Sequence, residues 1–492
     1  MIKRCVHCLV AAVLVFVALP SSGDSLPRVE GLTIEDLSRG YAEGRFTISA
    51  ATRAYLERIE NIDRAGPALN AILTVNDNAL DIAEALDAEL AEGRARGPLH
   101  GIPVVLKDNI DTADMPTTAG SVVLAESVPP DDADIVERLR AAGAVILGKA
   151  NLSEWANFHS SFSSSGWSRL GGQVKNAWDP TRNPCGSSSG SAVAVAASLA
   201  AFAIGTETNG SIVCPANANG IVGMKPTVGL WSRDGIIPIS QTTDSAGPMT
   251  RSVRDAAVVL GALAGVDPAD DKTVAAEDHL HADYTRFLDD GGLSGKRIGF
   301  YTEPLGNHHR VDALARKMIE DLEAGGAEIV EIEKINETDI GPSAFEVLLH
   351  EFRAGLDEYF ASLGDDAPVK DFDELVERIR DDSGETARFD RDLIFSAAER
   401  GGLDSEEYLS SLETMLEASR AGGIDRVMDE HDLDAIVSPT GSPAWKTDLV
   451  LGDNFKLSSS GPSARAGYPI ISVPMGYIDG LPVGASFFGR AW

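Results

Sequence analysis

Cys185-Gly-Ser-Ser-Ser-Gly-Ser-Ala192, running on into Val193-Ala-Val-Ala-Ala197, and Gly205-Thr-Glu-Thr-Asn-Gly-Ser-Ile-Val-Cys-Pro215 are the stretches that carry the fold class of this chain. In the first, a row of hydroxyls and backbone N–H groups precedes an alanine-rich run that reads as a helix. A helix N-terminus favours developing negative charge. The second follows the strand-like Ala201-Phe-Ala-Ile204 and offers Ser211 behind the small Gly210. Backbone N–H groups of such a turn can converge on one oxygen, as acyl transfer requires. Both stretches lie between Gly166 and Gly247, a region rich in Gly, Ser, Thr and Asn. A flexible linker is a poor reading of it, because its polar turns alternate with apolar runs that look buried.

A serine hydroxyl is a weak nucleophile until a base takes its proton. Gly186-Ser-Ser-Ser-Gly190 formally matches the G-x-S-x-G elbow, with Ser188 in the reactive position. That elbow needs a later acid and then a histidine. The candidates are His279, His281, His308, His309, His350 and His431, all in charged, helix-like surroundings that read as surface. Lys107 is the preferred base. It closes the apolar run Ile102-Pro-Val-Val-Leu106 and is followed by Asp108-Asn109. Neutrality at pH 7 costs an exposed lysine about 4 to 5 kcal/mol, and desolvation can supply much of that shift.

Thr33 reads as an N-cap before an amphipathic pattern, and helical spacing continues from Ala50 to Ile62 and from Ala79 to Ala91. Ile102 to Leu106 and Ala144-Val-Ile-Leu-Gly148 are short, apolar, β-branched runs, with a helical stretch from Ile135 to Ala142 before the second. The texture is α/β. From about Asp267 to Asp432 it changes to charged amphipathic helices, broken by the strand-like Lys296 to Tyr301 and Ala327 to Ile332. Core-like strands return at Ala435-Ile-Val437 and Ile470-Ile-Ser-Val-Pro474.

Taken together, Lys107 in Pro103-Val-Val-Leu-Lys-Asp-Asn109, the Gly186 to Ala192 turn and Gly205 to Ile212 resemble the amidase signature family in order and separation. Ser187 and Ser211 stand 24 positions apart (211 minus 187). Further family-like pieces are Thr117-Thr-Ala-Gly-Ser121, Gly148-Lys-Ala-Asn-Leu-Ser-Glu154, Gly223-Met-Lys-Pro-Thr227, Asp244-Ser-Ala-Gly-Pro-Met249 and Gly480-Leu-Pro-Val-Gly484. The resemblance implies a mixed central β-sheet covered by helices. It implies Ser211 as acyl-forming nucleophile, Ser187 as a bridging serine after a cis peptide bond, and Lys107 as base. Backbone N–H groups of Thr208, Asn209, Gly210 and Ser211 correspond to the oxyanion hole.

The Glu207-Thr-Asn-Gly-Ser-Ile-Val-Cys-Pro215 form is similar to bacterial peptide amidases, so C-terminal peptide amides are the expected substrate. A general aliphatic or aryl amidase, the glutaminase-type subunit of a tRNA-dependent amidotransferase and a catalytically silent binding scaffold are the alternatives. Many family members carry Gly-Gly-Ser-Ile-Arg where this chain has Asn209-Gly-Ser-Ile-Val213, which leaves the role of Glu207 open. They usually continue past the Gly-Arg-Pro-like motif with another helix, whereas this sequence ends at Trp492.

Asn151, Ser153, Glu154 and Asn157 read as supporting or packing residues, and Trp155 and Trp167 as core aromatics. Residues forming the substrate pocket are not named by the sequence. Neither a metal site nor a cofactor is expected: His308-His309 is a weak metal signal, and no phosphate-cradling loop with its lysine occurs.

The 492 residues, 43% hydrophobic, suffice for a large core. With 75 acidic against 42 basic residues the formal charge is -33, which disfavours nucleic acid as a partner. Lys3 and Arg4, the apolar run Leu9 to Leu19 and Pro20-Ser-Ser-Gly23 read as a signal peptide, residues 1–23. Export to a periplasmic or extracellular space is therefore expected, without a stable membrane anchor. Residues 24–492 are expected to form one domain, with residues 267–432 building the substrate rim. Loss of the signal removes Cys5 and Cys8, and Cys185 and Cys214 are expected to be free buried thiols rather than a pair.

Overall fold

In the computed structural model, residues 26–382, 384 and 388–492 are described, so the signal-peptide expectation for residues 1–23 lies outside them. Eleven strands form one mixed sheet: β1 (Ile72–Val75), β2 (Pro103–Lys107), β3 (Val145–Ala150), β6 (Phe202–Glu207), β7 (Val222–Lys225), β8 (Ser245–Thr250), β9 (Arg297–Tyr301), β10 (Glu328–Ile332), β11 (Ala435–Pro439), β12 (Ile470–Ile478) and β13 (Leu481–Phe488). Two further strands among the described residues, β4 (Trp167–Ser168) and β5 (Gly172–Gln173), pair as a small hairpin. Across the large sheet the order is β1-β3-β2-β6-β8-β7-β12-β13-β11-β9-β10.

The expected runs become strands or helices within a few residues. Thr33 caps the helix Ile34–Ala42 with a capping box closed by Asp36. The anticipated helical stretches are Ile48–Arg58, Ala79–Ala91 and Asp134–Ala141.

β2 is buried at every position and lies between β3 and β6, parallel to both. Its Val104, Val105 and Leu106 enter the main core with Phe202 and Ile204 of β6. The alanine-rich helix Ser189–Ala196 packs on this part of the sheet, and its small side chains permit a close approach. Gly190 is required there, since an added Cβ would lie 2.2 Å from the Ala71 carbonyl oxygen and 2.4 Å from that of Asn151. Parallel strands end together, so the C-terminal ends of β2 and β6 open side by side, the usual place for a site in such sheets.

Between residues 267 and 432 the charged helices Gly341–Ser362, Phe372–Asp381 and Asp392–Ala398 bury a second core of their own. Phe352, Leu356, Phe372 and Leu375 pack there with Trp155, Phe158 and Ile237 from earlier in the chain. No helix among the described residues is long and apolar enough to cross a membrane.

Candidate active site

Lys107 is the last residue of β2, and its side chain is wholly buried. Nζ donates to Ser187 Oγ at 2.8 Å, to Thr206 Oγ1 at 2.7 Å and to the Thr206 carbonyl at 3.2 Å. Burial pushes its pKa down to about 7, against the opposing pull of the Asp244 and Glu207 carboxylates. In the neutral amine, two N–H bonds serve Thr206 and the lone pair is left for the Ser187 hydroxyl. Lys149 and Lys225 are equally buried, but they reach other acceptors: Lys149 donates to Thr117 Oγ1 at 2.8 Å and Lys225 to the Tyr468 carbonyl at 2.7 Å. Of the three, Lys107 is hydrogen-bonded to one of the turn serines.

Ser187 follows a cis Gly186–Ser187 peptide bond. Its carbonyl accepts from Ser153 N at 3.1 Å, which gives the expected support role of Ser153 a definite contact. The next residue clasps the two turns together. Ser188 N donates to the Ser211 carbonyl at 3.1 Å, while Ser188 Oγ donates to the Thr206 carbonyl at 3.0 Å and accepts from Thr206 N at 3.1 Å. That hydroxyl is therefore committed to the backbone of β6 and makes no contact with a histidine among the described residues, against the elbow reading. Of the histidines read as surface, His350 is a correction: it is buried, with Nδ1 2.9 Å from the Gly401 carbonyl.

Ser211 is half-buried in the turn between β6 and the helix Val213–Asn219. Gly210 takes φ of +81°, a conformation that favours glycine, and an added Cβ would stand 3.1 Å from Ser460 Oγ. The backbone N–H groups of Thr208, Asn209, Gly210 and Ser211 have no hydrogen-bond acceptor among the described residues. Their side chains are pinned instead. Thr208 Oγ1 donates to Asp244 at 2.6 Å, and Asn209 Oδ1 accepts from Ser460 Oγ at 2.7 Å.

Glu207, whose role the sequence left open, holds this turn from below. One of its carboxylate oxygens accepts from Ile212 N at 2.7 Å and from Val213 N at 3.0 Å, satisfying donors at the start of the 213–219 helix. Asn109 and Thr206 were not singled out by the sequence, yet both belong to the site. Asn109 Nδ2 donates to Thr206 Oγ1 at 3.1 Å, beside Lys107. The β-strand position of Thr206, opposite Ala246 of β8, is what aims its hydroxyl at the lysine.

Cys185 and Cys214 are joined by a disulfide, which corrects the expectation of free thiols. The Ser188 to Ser211 contact and the packing of Ala218, Ala444 and Trp445 around them bring their Cα atoms to 5.9 Å, within bonding reach. Asn151, Ser153, Glu154 and Trp155 are buried, and Trp155, Ala156 and Asn157 all have positive φ near 50 to 75°. A cavity of about 350 Å³ opens against this turn, lined by Asn109, Thr206, Thr208, Ile237, Glu351 and Tyr359. The last two come from the 341–362 helix. Glu346, His350 and Glu407 place metal-ligating atoms within 4.8 Å of one another, but Arg400 already engages both oxygens of Glu346.

A family model described as Amidase matches residues 50–492. The chain belongs to this amidase family. Its fold is that of solved amidase structures: the native peptide amidase from Stenotrophomonas maltophilia superposes with a TM-score of 0.91 at 47% identity, covering 94% of each chain. A probable amidase of Arabidopsis thaliana is 39% identical over 473 residues, 94% of this chain and 87% of the plant protein. A glutamyl-tRNA(Gln) amidotransferase subunit from Caldanaerobacter subterraneus is 35% identical over 477 residues, 93% of each chain. As an amidase-family hydrolase, the chain acts on amides.

Proposed function

We propose that this protein is a serine amidohydrolase that converts C-terminal peptide amides to the free acid and ammonia. The observation that carries the chemistry is the buried Lys107 hydrogen-bonded to Ser187, one residue from the backbone contact to Ser211. Neutral Lys107 takes the Ser187 proton as Ser187 takes that of Ser211, and Ser211 Oγ bonds to the amide carbon. The oxygen of the tetrahedral intermediate gains negative charge, and the free N–H groups of residues 208–211 are the donors suited to it. Collapse breaks the C–N bond, and the proton held on Lys107 returns through Ser187 to the departing nitrogen, which leaves as ammonia. Water activated by the same relay then attacks the ester carbon, releasing the acid and restoring Ser211.

The peptide-amide substrate is supported by the 47% identity to the Stenotrophomonas peptide amidase across 94% of both chains. The 35% identity to the amidotransferase protein favours a glutaminase as second reading. Ammonia release from an amidated dipeptide, its free-acid counterpart, glutamine and an aryl amide, with Ser211→Ala as control, separates them. Release from the amidated peptide is the expected result. Turnover of glutamine alone establishes the second reading, and activity confined to the aryl amide rejects both substrates. The protein acts outside the cytoplasm after loss of residues 1–23. N-terminal sequencing of protein from the periplasm or medium tests this, and an intact Met1 in the cytoplasmic fraction refutes it.

A further inference from the structure

We propose that the Cys185–Cys214 disulfide is a positioning element of the reaction centre, holding the Ser187 and Ser211 turns in register so that turnover depends on it beyond its effect on the fold. The inference rests on the amide-hydrolysing reading above. Cys185 stands two residues before Ser187, and Cys214 three residues after Ser211. The covalent bond therefore joins the two serine-bearing turns themselves. Two hydrogen-bonded ties run beside it: Ser188 N to the Ser211 carbonyl at 3.1 Å, and Asn219 Nδ2, which reaches both the Pro184 and Pro215 carbonyls at 2.9 Å.

Backbone geometry at Cys185 shows what the bond restrains. Its φ is +59°, a left-handed conformation disfavoured for a residue with a side chain and kept where surrounding contacts over-determine it. Those contacts are Asn183 Oδ1 accepting from Cys185 N at 2.8 Å, Ser189 Oγ donating to the Cys185 carbonyl at 2.7 Å, and the disulfide. Without the disulfide, Cys185 keeps its two hydrogen bonds but loses the covalent restraint, and any relaxation passes within two residues to Ser187, whose 2.8 Å contact to Lys107 has little tolerance. Cys185 and Cys214 pack on Ala218, Ala444 and Trp445, away from the cavity lined by Thr206 and Thr208. The pair therefore acts through the serines and not on the substrate.

Cys214 is half-buried, and Ala444 and Trp445, which pack against the pair, also line a cavity of about 690 Å³, the side from which a small dithiol would approach. One thiolate of the dithiol attacks a cystine sulfur to form a mixed disulfide, and its second thiolate displaces the protein thiolate. Both protein sulfurs end as thiols after protonation, and the two-electron donor leaves as its cyclic disulfide.

The test compares the oxidised full-length enzyme, the enzyme reduced by dithiothreitol under native conditions, and Cys185→Ser/Cys214→Ser, on an amidated dipeptide. Alkylation mapped by mass spectrometry verifies the state of Cys185 and Cys214, and far-UV circular dichroism at 20 °C verifies the fold. On reduction kcat is expected to fall about tenfold to a hundredfold with KM within twofold, at unchanged dichroism, and to return on reoxidation; misplacement of reacting groups by about 1 Å has effects of that size. The double variant should match the reduced enzyme and not recover. If that variant fails to fold, native reduction still decides. Unchanged kcat in the reduced, folded enzyme overturns the proposal, as does a change confined to KM or a kcat loss that tracks loss of dichroism. An oxidised enzyme silent on the amidated dipeptide refutes the peptide-amide reading on which the proposal rests.

Discussion

Turnover should rise about tenfold between pH 6 and pH 8 and level off above, because the lysine must be neutral to act. With the Lys107 pKa pushed by burial to about 7, the neutral fraction is about one-eleventh at pH 6 and ten-elevenths at pH 8. The same displacement, from 10.5 to about 7, means that burial disfavours the ammonium by about 5 kcal/mol. Below pH 7 the lysine is protonated in both folded and unfolded chains, and the whole penalty opposes folding. Between pH 7 and 10.5 the unfolded chain holds the extra proton, so stability rises with pH. Lys107→Met should therefore abolish turnover, and wild-type stability should gain about 3 kcal/mol on this variant between pH 6 and pH 9. Asp244→Asn removes a charge that favours the ammonium, and should move the activity midpoint to lower pH. The assay is ammonia release from an amidated dipeptide over pH 5 to 9, with kcat and kcat/KM followed separately and stability measured by denaturant titration. A flat profile, or a midpoint above pH 9, would refute Lys107 as the base.

Adjacent serines should separate cleanly. Ser187→Ala is expected to lower kcat at least a hundredfold with little change in KM, whereas Ser188→Ala should lose about 1 to 3 kcal/mol of stability, since it strands the buried Thr206 N–H while the Thr206 carbonyl keeps Lys107 as donor, and retain most of its chemistry. Steady-state kinetics with thermal melts checks both. Glu207→Ala uncovers two N–H groups at the start of the 213–219 helix, so a loss of about 1 to 3 kcal/mol with reduced kcat is expected, and an unchanged melting temperature would contradict it. Closing a loop of 29 residues, the Cys185–Cys214 bond is worth about 3 to 4 kcal/mol in the chain-entropy account, measurable by denaturant titration of the double serine variant.

Much of the sheet was legible because β2, β3, β6, β9, β10, β11 and β12 are compact apolar runs. The strand β8 was not, although every residue in it is buried. Ser245-Ala-Gly-Pro-Met-Thr250 carries no alternation and contains a glycine and a proline, which in isolation argue against a strand. Its place is set by β6 and β7 on either side, and Gly247 fits where an added Cβ would meet the Met224 carbonyl oxygen at 1.9 Å. Thr206 was missed for a different reason: a threonine within a strand has no local signature, and its importance comes from Lys107 and Asn109, about 100 positions away.

Residue type and local order made the α/β class and the family motifs legible in the sequence, and they singled out Lys107, Ser187 and Ser211 as candidates for the site. The disulfide, the clasp of Ser188 on Thr206, the capping by Glu207 and the downward shift of the lysine were decided only by tertiary structure. Each depends on distance and solvent exclusion across segments far apart in the chain, and neither quantity exists until the sheet has brought the ends of β2 and β6 together.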